Sequence, residues 1–223
     1  MSEPIWMQPP YVSGLAFAGP PNLNLPPTVD AGEDQLVIVG YTVNLDGSGS
    51  SDPEMDALTF SWSLTSPIGS SSTLSGADTA MPSFTPDVEG TYELTLVVSD
   101  FIGPGLPDTV EITATSAEGF AENRIVNVDG IVGSLSAGEV TTNGNQNAFG
   151  NFLSHAIKAL QKSPPDTAKA IDKLEKALER TDGCVLRGSP DGNGSGRDWI
   201  TDCAVQTEVY GLVNDALAAL SSP

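Results

Sequence analysis

The stretch Leu58-Thr59-Phe60-Ser61-Trp62-Ser63-Leu64 decides the first half of the fold. Large apolar and small polar residues alternate, so Leu58, Phe60, Trp62 and Leu64 fall on one face of an extended chain. Thr91–Val98 repeats the pattern with Tyr92, Leu94, Leu96 and Val98, and 109–114 repeats it with Val110, Ile112 and Ala114. Upstream, 35–39 and 42–45 read as strands, the second running into the turn-rich Asp46-Gly47-Ser48-Gly49-Ser50-Ser51. Short pieces at 72–74 and 81–84 bring the expectation to seven strands, the pattern of an Ig-like antiparallel β-sandwich of about 90 residues. Its expected core is Trp62, Phe60, Phe84, Leu94 and Leu96. Tyr92, two residues after Gly90, is placed for a tyrosine-corner hydrogen bond.

Several pieces of this half occur in a telling order. They are Asn24-Leu25-Pro26-Pro27, Asp30-Ala31-Gly32, Val43-Asn44-Leu45-Asp46-Gly47-Ser48-Gly49-Ser50-Ser51-Asp52-Pro53, Pro82-Ser83-Phe84-Thr85-Pro86-Asp87, Gly90-Thr91-Tyr92 and Val97-Val98-Ser99-Asp100. Together with 58–62 they resemble the polycystic-kidney-disease (PKD) domain, with REJ-type sandwiches as relatives. One departure is Met55, which stands where that family usually has glycine. The resemblance implies an extracellular spacer or adhesion module. It also implies a calcium site built from Asn24, Asp52 and Asp100, with Asp56 as a further ligand, because hard oxygen donors must converge on a divalent cation. The competing reading is that these aspartates cap turns through bonds to nearby backbone N–H groups.

From Asn147 the apolar period lengthens to about 3.6 residues. Phe149, Phe152, Leu153, Ala156, Ile157 and Leu160 make one helical stripe, Ala168, Ile171, Leu174 and Leu178 a second, and Val205, Val209, Leu212, Val213, Ala216 and Leu220 a third. Ser163, followed by Pro164 and Asp166, reads as the cap of the second helix. The expected organisation is a proline-rich arm (1–26), the sandwich (27–116), a connector (117–146) whose glycines argue against a long helix, and a three-helix domain (147–223): an all-β unit followed by an all-α unit. Gly133-Ser134-Leu135-Ser136-Ala137-Gly138-Glu139-Val140, then Asn143-Gly144-Asn145 and the paired helices after them, weakly resemble the FIMAH-type helical modules of bacterial surface proteins.

A glycine-rich loop between the last two helices carries the other candidate site. Asp191, Asn193 and Ser195 stand at positions 1, 3 and 5 of a 12-residue calcium loop, with Gly196 at the turn, the Arg197 carbonyl next and Asp202 at position 12. Asp202 is shorter than the usual Glu, and Asp198 occupies a position that is normally apolar, so the loop departs from an EF-hand. The rival is a flexible surface loop. Cys184 and Cys203 bracket it, either as a disulfide or as two isolated thiols.

Charge narrows the function. The chain has 29 acidic and 9 basic residues and a formal net charge of -20. Residues 1–123 hold 17 of the acids and no Lys or Arg. Such a field repels nucleic-acid phosphates and anionic membranes, and no run approaches the roughly 18 apolar residues of a membrane span. The first residues lack a basic region and an apolar run, so a leader is expected to have been removed or export to follow another route; a cytoplasmic location is the alternative. His155 is the only histidine, and no nucleophile motif accompanies it. The sequence therefore points to a non-catalytic extracellular or cell-surface module, calcium-stabilised, attaching to a protein or glycan. The alternative is a carbohydrate-binding accessory module or a subunit of an extracellular complex. A sugar site would need exposed aromatics, and Trp6, Tyr11, Tyr41 and Trp199 are the candidates.

Overall fold

The computed structural model describes residues 24–136, 138–187 and 198–221. Most of the N-terminal arm, with Trp6 and Tyr11, lies outside them, as do Asp191, Asn193, Ser195 and Arg197 of the glycine-rich loop. Six strands are present among the described residues: β1 (Gln35–Ile38), β2 (Val43–Asn44), β3 (Thr59–Thr65), β4 (Ser83–Phe84), β5 (Gly90–Ser99) and β6 (Asp108–Thr115). One sheet has the order β1-β6-β5-β3, and β2 and β4 pair as a second. The alternation in 58–64 and 91–98 works as expected. Tyr92, Leu94, Leu96 and Val98 are wholly buried, and Trp62 is buried with its indole N–H donating to the Thr79 carbonyl at 3.2 Å. Phe84, Val43 and Leu45 close the core from the small sheet, while Phe60 is only partly buried. Each large side chain removed from water contributes roughly 1.5–3 kcal/mol.

Two expectations for the sandwich need correction. It has six strands rather than seven, because 72–74 makes no strand. There the chain is turned aside by Asp87, whose carboxylate accepts bonds from the hydroxyls of Ser70, Ser71 and Ser72 at 2.6–2.8 Å and from the Ser71 N–H at 2.7 Å. A single bridge, Ser75 to Ser83, is what remains of sheet pairing. The sheet is also not wholly antiparallel: β1 runs parallel to β6, with Gln35 opposite Ile112 and Ile38 opposite Thr115. Alternation assigns side chains to faces and says nothing about strand direction, so the sequence pattern is blind to this pairing.

The helical half holds α1 (Ala117–Ser134), α2 (Asn143–Leu160), α3 (Thr167–Leu178), α4 (Gly183–Arg187) and α5 (Cys203–Ser221). Among the described residues, four long helices and one short one therefore replace the expected three. The segment read as a connector contains α1, an 18-residue helix that starts one residue after β6 and is capped by Ser116, whose Oγ accepts from the Gly119 N–H. Its glycines cost about 1 kcal/mol each relative to alanine. They are outweighed by Ala121, Ile125, Val128 and Val132, which recur at helical spacing and are buried against Phe149, Leu153, Leu174, Val209 and Val213. The cap of α3 is Asp166 rather than Ser163. Its Oδ1 accepts from the Lys169 N–H, and its Oδ2 takes the Lys162 ammonium at 2.8 Å.

Cys184 and Cys203 form a disulfide that ties α4 to the first turn of α5. Beneath it the buried Gln206 accepts from the Cys184 N–H and donates to the Ile200 carbonyl. No helix among the described residues is long and apolar enough to cross a membrane.

Candidate functional site

At one end of the sandwich the chain entry at Asn24 meets two loops, 52–56 and 100–106. Asp52 turns the first: its Oδ1 accepts from the backbone N–H of Glu54 at 2.9 Å and of Asp56 at 3.0 Å. Asp100 turns the second in the same manner, its Oδ1 accepting from the Ile102 N–H at 2.6 Å and the Gly103 N–H at 2.7 Å. Asn24 spans the gap, its Nδ2 donating to Asp100 Oδ2 at 2.6 Å, and the Leu25 N–H donates to Glu54 Oε2 at 3.0 Å. A bridge between Thr28 and Ser51 fixes the entry strand beside the first loop. Gly105 closes the arrangement, since any side chain there would collide with the Pro27 carbonyl.

The electrostatics of this end are uneven. Asp100 is held below the ordinary carboxylate range, mainly by the Asn24 amide and then by the Gly103 N–H. Asp56 is pushed up, first by desolvation and then by the charges of Asp52, Asp100 and Glu54. The Oδ2 of Asp52 is buried and accepts no hydrogen bond. Such an orphaned carboxylate oxygen, beside a carboxyl that resists ionisation, marks a place short of positive charge. The set is all hard oxygen donors once the Asn24 amide presents its Oδ1, a chemistry that fits calcium. As arranged, though, no group of three or more His, Cys, Asp or Glu side chains able to hold a metal is found among the described residues.

Asn24, Asp52, Asp56 and Asp100 are thus brought together, and each also makes the turn-capping bonds of the rival reading or neighbours a residue that does. Glu54 was not singled out from the sequence; the acid density of Asp52-Pro53-Glu54-Met55-Asp56 was its only signal. Met55 adopts a left-handed backbone conformation, with φ of 64°, that glycine takes more readily than a residue with a side chain.

Of the second candidate loop only the end is described. Asp202 Oδ1 accepts from the N–H groups of Ala204 and Val205 at 2.9 and 3.0 Å, capping α5. Asp198 is buried, with Oδ1 accepting from the Gly183 N–H at the start of α4. Trp199 stacks on Phe152 with centroids 5.9 Å apart, meets Phe149 edge-on and lies under the Arg180 guanidinium at 5.1 Å. It is an anchor of the helical core and offers no free sugar platform. The Tyr92 hydroxyl closes the predicted corner, donating to the Val88 carbonyl at 3.0 Å and accepting from the Val88 N–H at 3.2 Å.

Residues 31–114 match the family described as K319L-like, PKD domain. This segment is PKD-like. The match covers the sandwich and stops at the end of β6, so it does not reach the helical half. Among solved structures, the chain is similar to a nucleoside hydrolase-related hypothetical protein from Saccharophagus degradans that is associated with carbohydrate metabolism, at 26% identity over 41% of this chain and 26% of that one (TM-score 0.37). It is also similar to the PKD domain of the KIAA 1837 protein, at 28% identity over 39% of this chain and 84% of that one (TM-score 0.34). The PKD domain of human KIAA0319 is a third, at 18% identity over 46% and 92% (TM-score 0.35). No curated protein matches the chain.

Proposed function

We propose that this chain is a non-catalytic attachment module of an extracellular or cell-surface assembly, with calcium stiffening the end of the PKD-like sandwich. The observation that carries the reading is that the Asn24–Asp100 bond and the Asp52–Asp56 turn share one end of the sandwich, where one Asp52 oxygen is buried and accepts no hydrogen bond. Binding would turn the Asn24 amide to present its oxygen and release Asp100 Oδ2 toward the ion. The same ion would relieve the repulsion that now raises Asp56. The 191–202 loop is retained as a second calcium candidate, with Asp202 giving its second carboxylate oxygen while Oδ1 caps α5. The family resemblance and the disulfide support an exported location. The non-catalytic part rests on the lack of a nucleophile motif and on an exposed His155 on α2.

The test is thermal melting with calcium and with chelator. A cation at one hundred times its dissociation constant adds about 2.7 kcal/mol, and the gain should vanish in Asp52→Ala and Asp100→Ala. If the midpoint is the same in calcium and in chelator, the metal reading fails. A gain lost only in Asp191→Ala would move the site to the glycine-rich loop.

A further inference from the structure

The acidic end of the sandwich carries a second feature that calcium does not explain. Large apolar side chains stand exposed on its loop tips: Met55 is 92% exposed, Leu106 87%, Phe101 74% and Ile102 65%, with Leu25 half exposed. They belong to the two loops and the entry strand already joined by the Asn24–Asp100 and Leu25–Glu54 bonds, so they share one end of the molecule. Scattered exposed apolar residues are ordinary, but several large ones gathered at one end of a domain and rimmed by charge are a feature of interaction surfaces. Met55 sharpens the point: a side chain is kept at a left-handed φ where glycine would fit without cost, and that side chain is almost wholly in water.

We infer that this pole docks a protein partner whose surface sets lysine or arginine around an apolar patch. Charge complementarity selects that occupant. Asp52, Glu54, Asp56 and Asp100 lie in the same two loops as the apolar tips, and no Lys or Arg occurs before Arg124 to soften their field. An anionic membrane would meet repulsion here. A second copy offering the same pole would bring like charges together. Three of the five lysines of the helical half, Lys162, Lys173 and Lys176, are already paired with Asp166 and Asp172, and among its described residues that half presents no cluster of exposed apolar side chains for the pole to meet. An apolar centre with a charged rim is the usual anatomy of a specific interface. Rim charges would speed encounter and make it salt-dependent.

This assignment deepens the attachment-module reading and rests on it. The probe is a helical peptide of alternating leucine and lysine blocks, titrated into the isotope-labelled full chain at physiological salt and followed by amide NMR shifts. A lysine–serine peptide of equal charge is the control. The expected shifts cluster at 25, 54–56 and 101–106, and the paired substitution Phe101→Ser with Ile102→Ser weakens binding at least tenfold without altering charge. Met55→Ser, on the other loop, weakens it by a smaller factor. Shifts spread over the whole acidic surface, equal binding of the lysine–serine peptide, or an unchanged affinity in the double variant would each overturn the assignment. So would pole shifts produced by phosphatidylserine vesicles with calcium but not by the peptide, which would make the surface lipid-binding. Peptide binding confined to some other face would overturn the pole while leaving an attachment module in place.

Discussion

Removing the disulfide gives the sharpest check on how the helical half is held. Cys184 and Cys203 are 19 positions apart, so the bond closes a loop of about 20 residues in the unfolded chain. In the chain-entropy account that closure is worth about 3 kcal/mol at room temperature. The paired substitution Cys184→Ala with Cys203→Ala removes the crosslink without burying new hydroxyls. For a helical unit of about 100 residues, that loss lowers the melting midpoint by roughly 10–20 °C. Circular dichroism at the helical band is the right assay, because every helix among the described residues lies beyond Ser116. The wild type in strong reductant should match the double variant. A shift of only a degree or two, or indifference to reductant, would refute the reasoning. It would mean that the buried Gln206 bonds and the α4–α5 contact already confine the segment in the absence of the bond.

Three further outcomes are expected. Tyr92→Phe leaves the Val88 N–H and C=O without their hydroxyl partner and costs about 1–2 kcal/mol, measured as a fall in the sandwich's denaturant midpoint with unchanged slope. Asp56→Asn removes the carboxyl that desolvation and its neighbours push up; it raises the melting temperature in chelator and lowers the gain on adding calcium, and a fall in chelator would contradict the assigned repulsion. Asp87 and Asp100 are both held below the usual carboxylate range, Asp87 chiefly by the Ser70 and Ser71 hydroxyls and Asp100 chiefly by the Asn24 amide. Their contribution is therefore full above the unfolded value near 4 and is lost as pH falls below it. Asp87→Asn should flatten the acid limb of the stability curve, and an acid limb as steep as the wild type's would show that Asp87 does not cause it.

How far the sequence could be read depended on the kind of information each element needs. The strands at 59–65 and 90–99 were legible because burial on one face writes a period of two into the chain. The parallel partnership of β1 and β6 left no such mark, since pairing direction is a property of topology. Helix α1 was hidden by Gly119, Gly130 and Gly133, which mattered less than the buried spacing of Ala121, Ile125, Val128 and Val132. Asn24, Asp52, Asp56 and Asp100 could be nominated through the family resemblance, but their hydrogen bonds could not. The capping role of Asp202 and the aromatic packing of Trp199 depend on where α5 begins, and helix ends are weakly encoded. The exposed tips at Met55 and Phe101 look like ordinary apolar residues until the fold shows that nothing among the described residues covers them.

The parallel ladder between β1 and β6 also determines how the sandwich would carry a load. Tension that enters through the chain ahead of Gln35 and leaves through Thr115 pulls these neighbours in opposite directions along their length. Their hydrogen bonds are then loaded together, in shear, and cannot be peeled apart one at a time. Because a single residue separates β6 from α1, the tug would pass into the helices with almost no slack. Single-molecule stretching should find rupture forces well above those of a hairpin unzipped from its end, and a comparably low force would show that the ladder does not bear the strain.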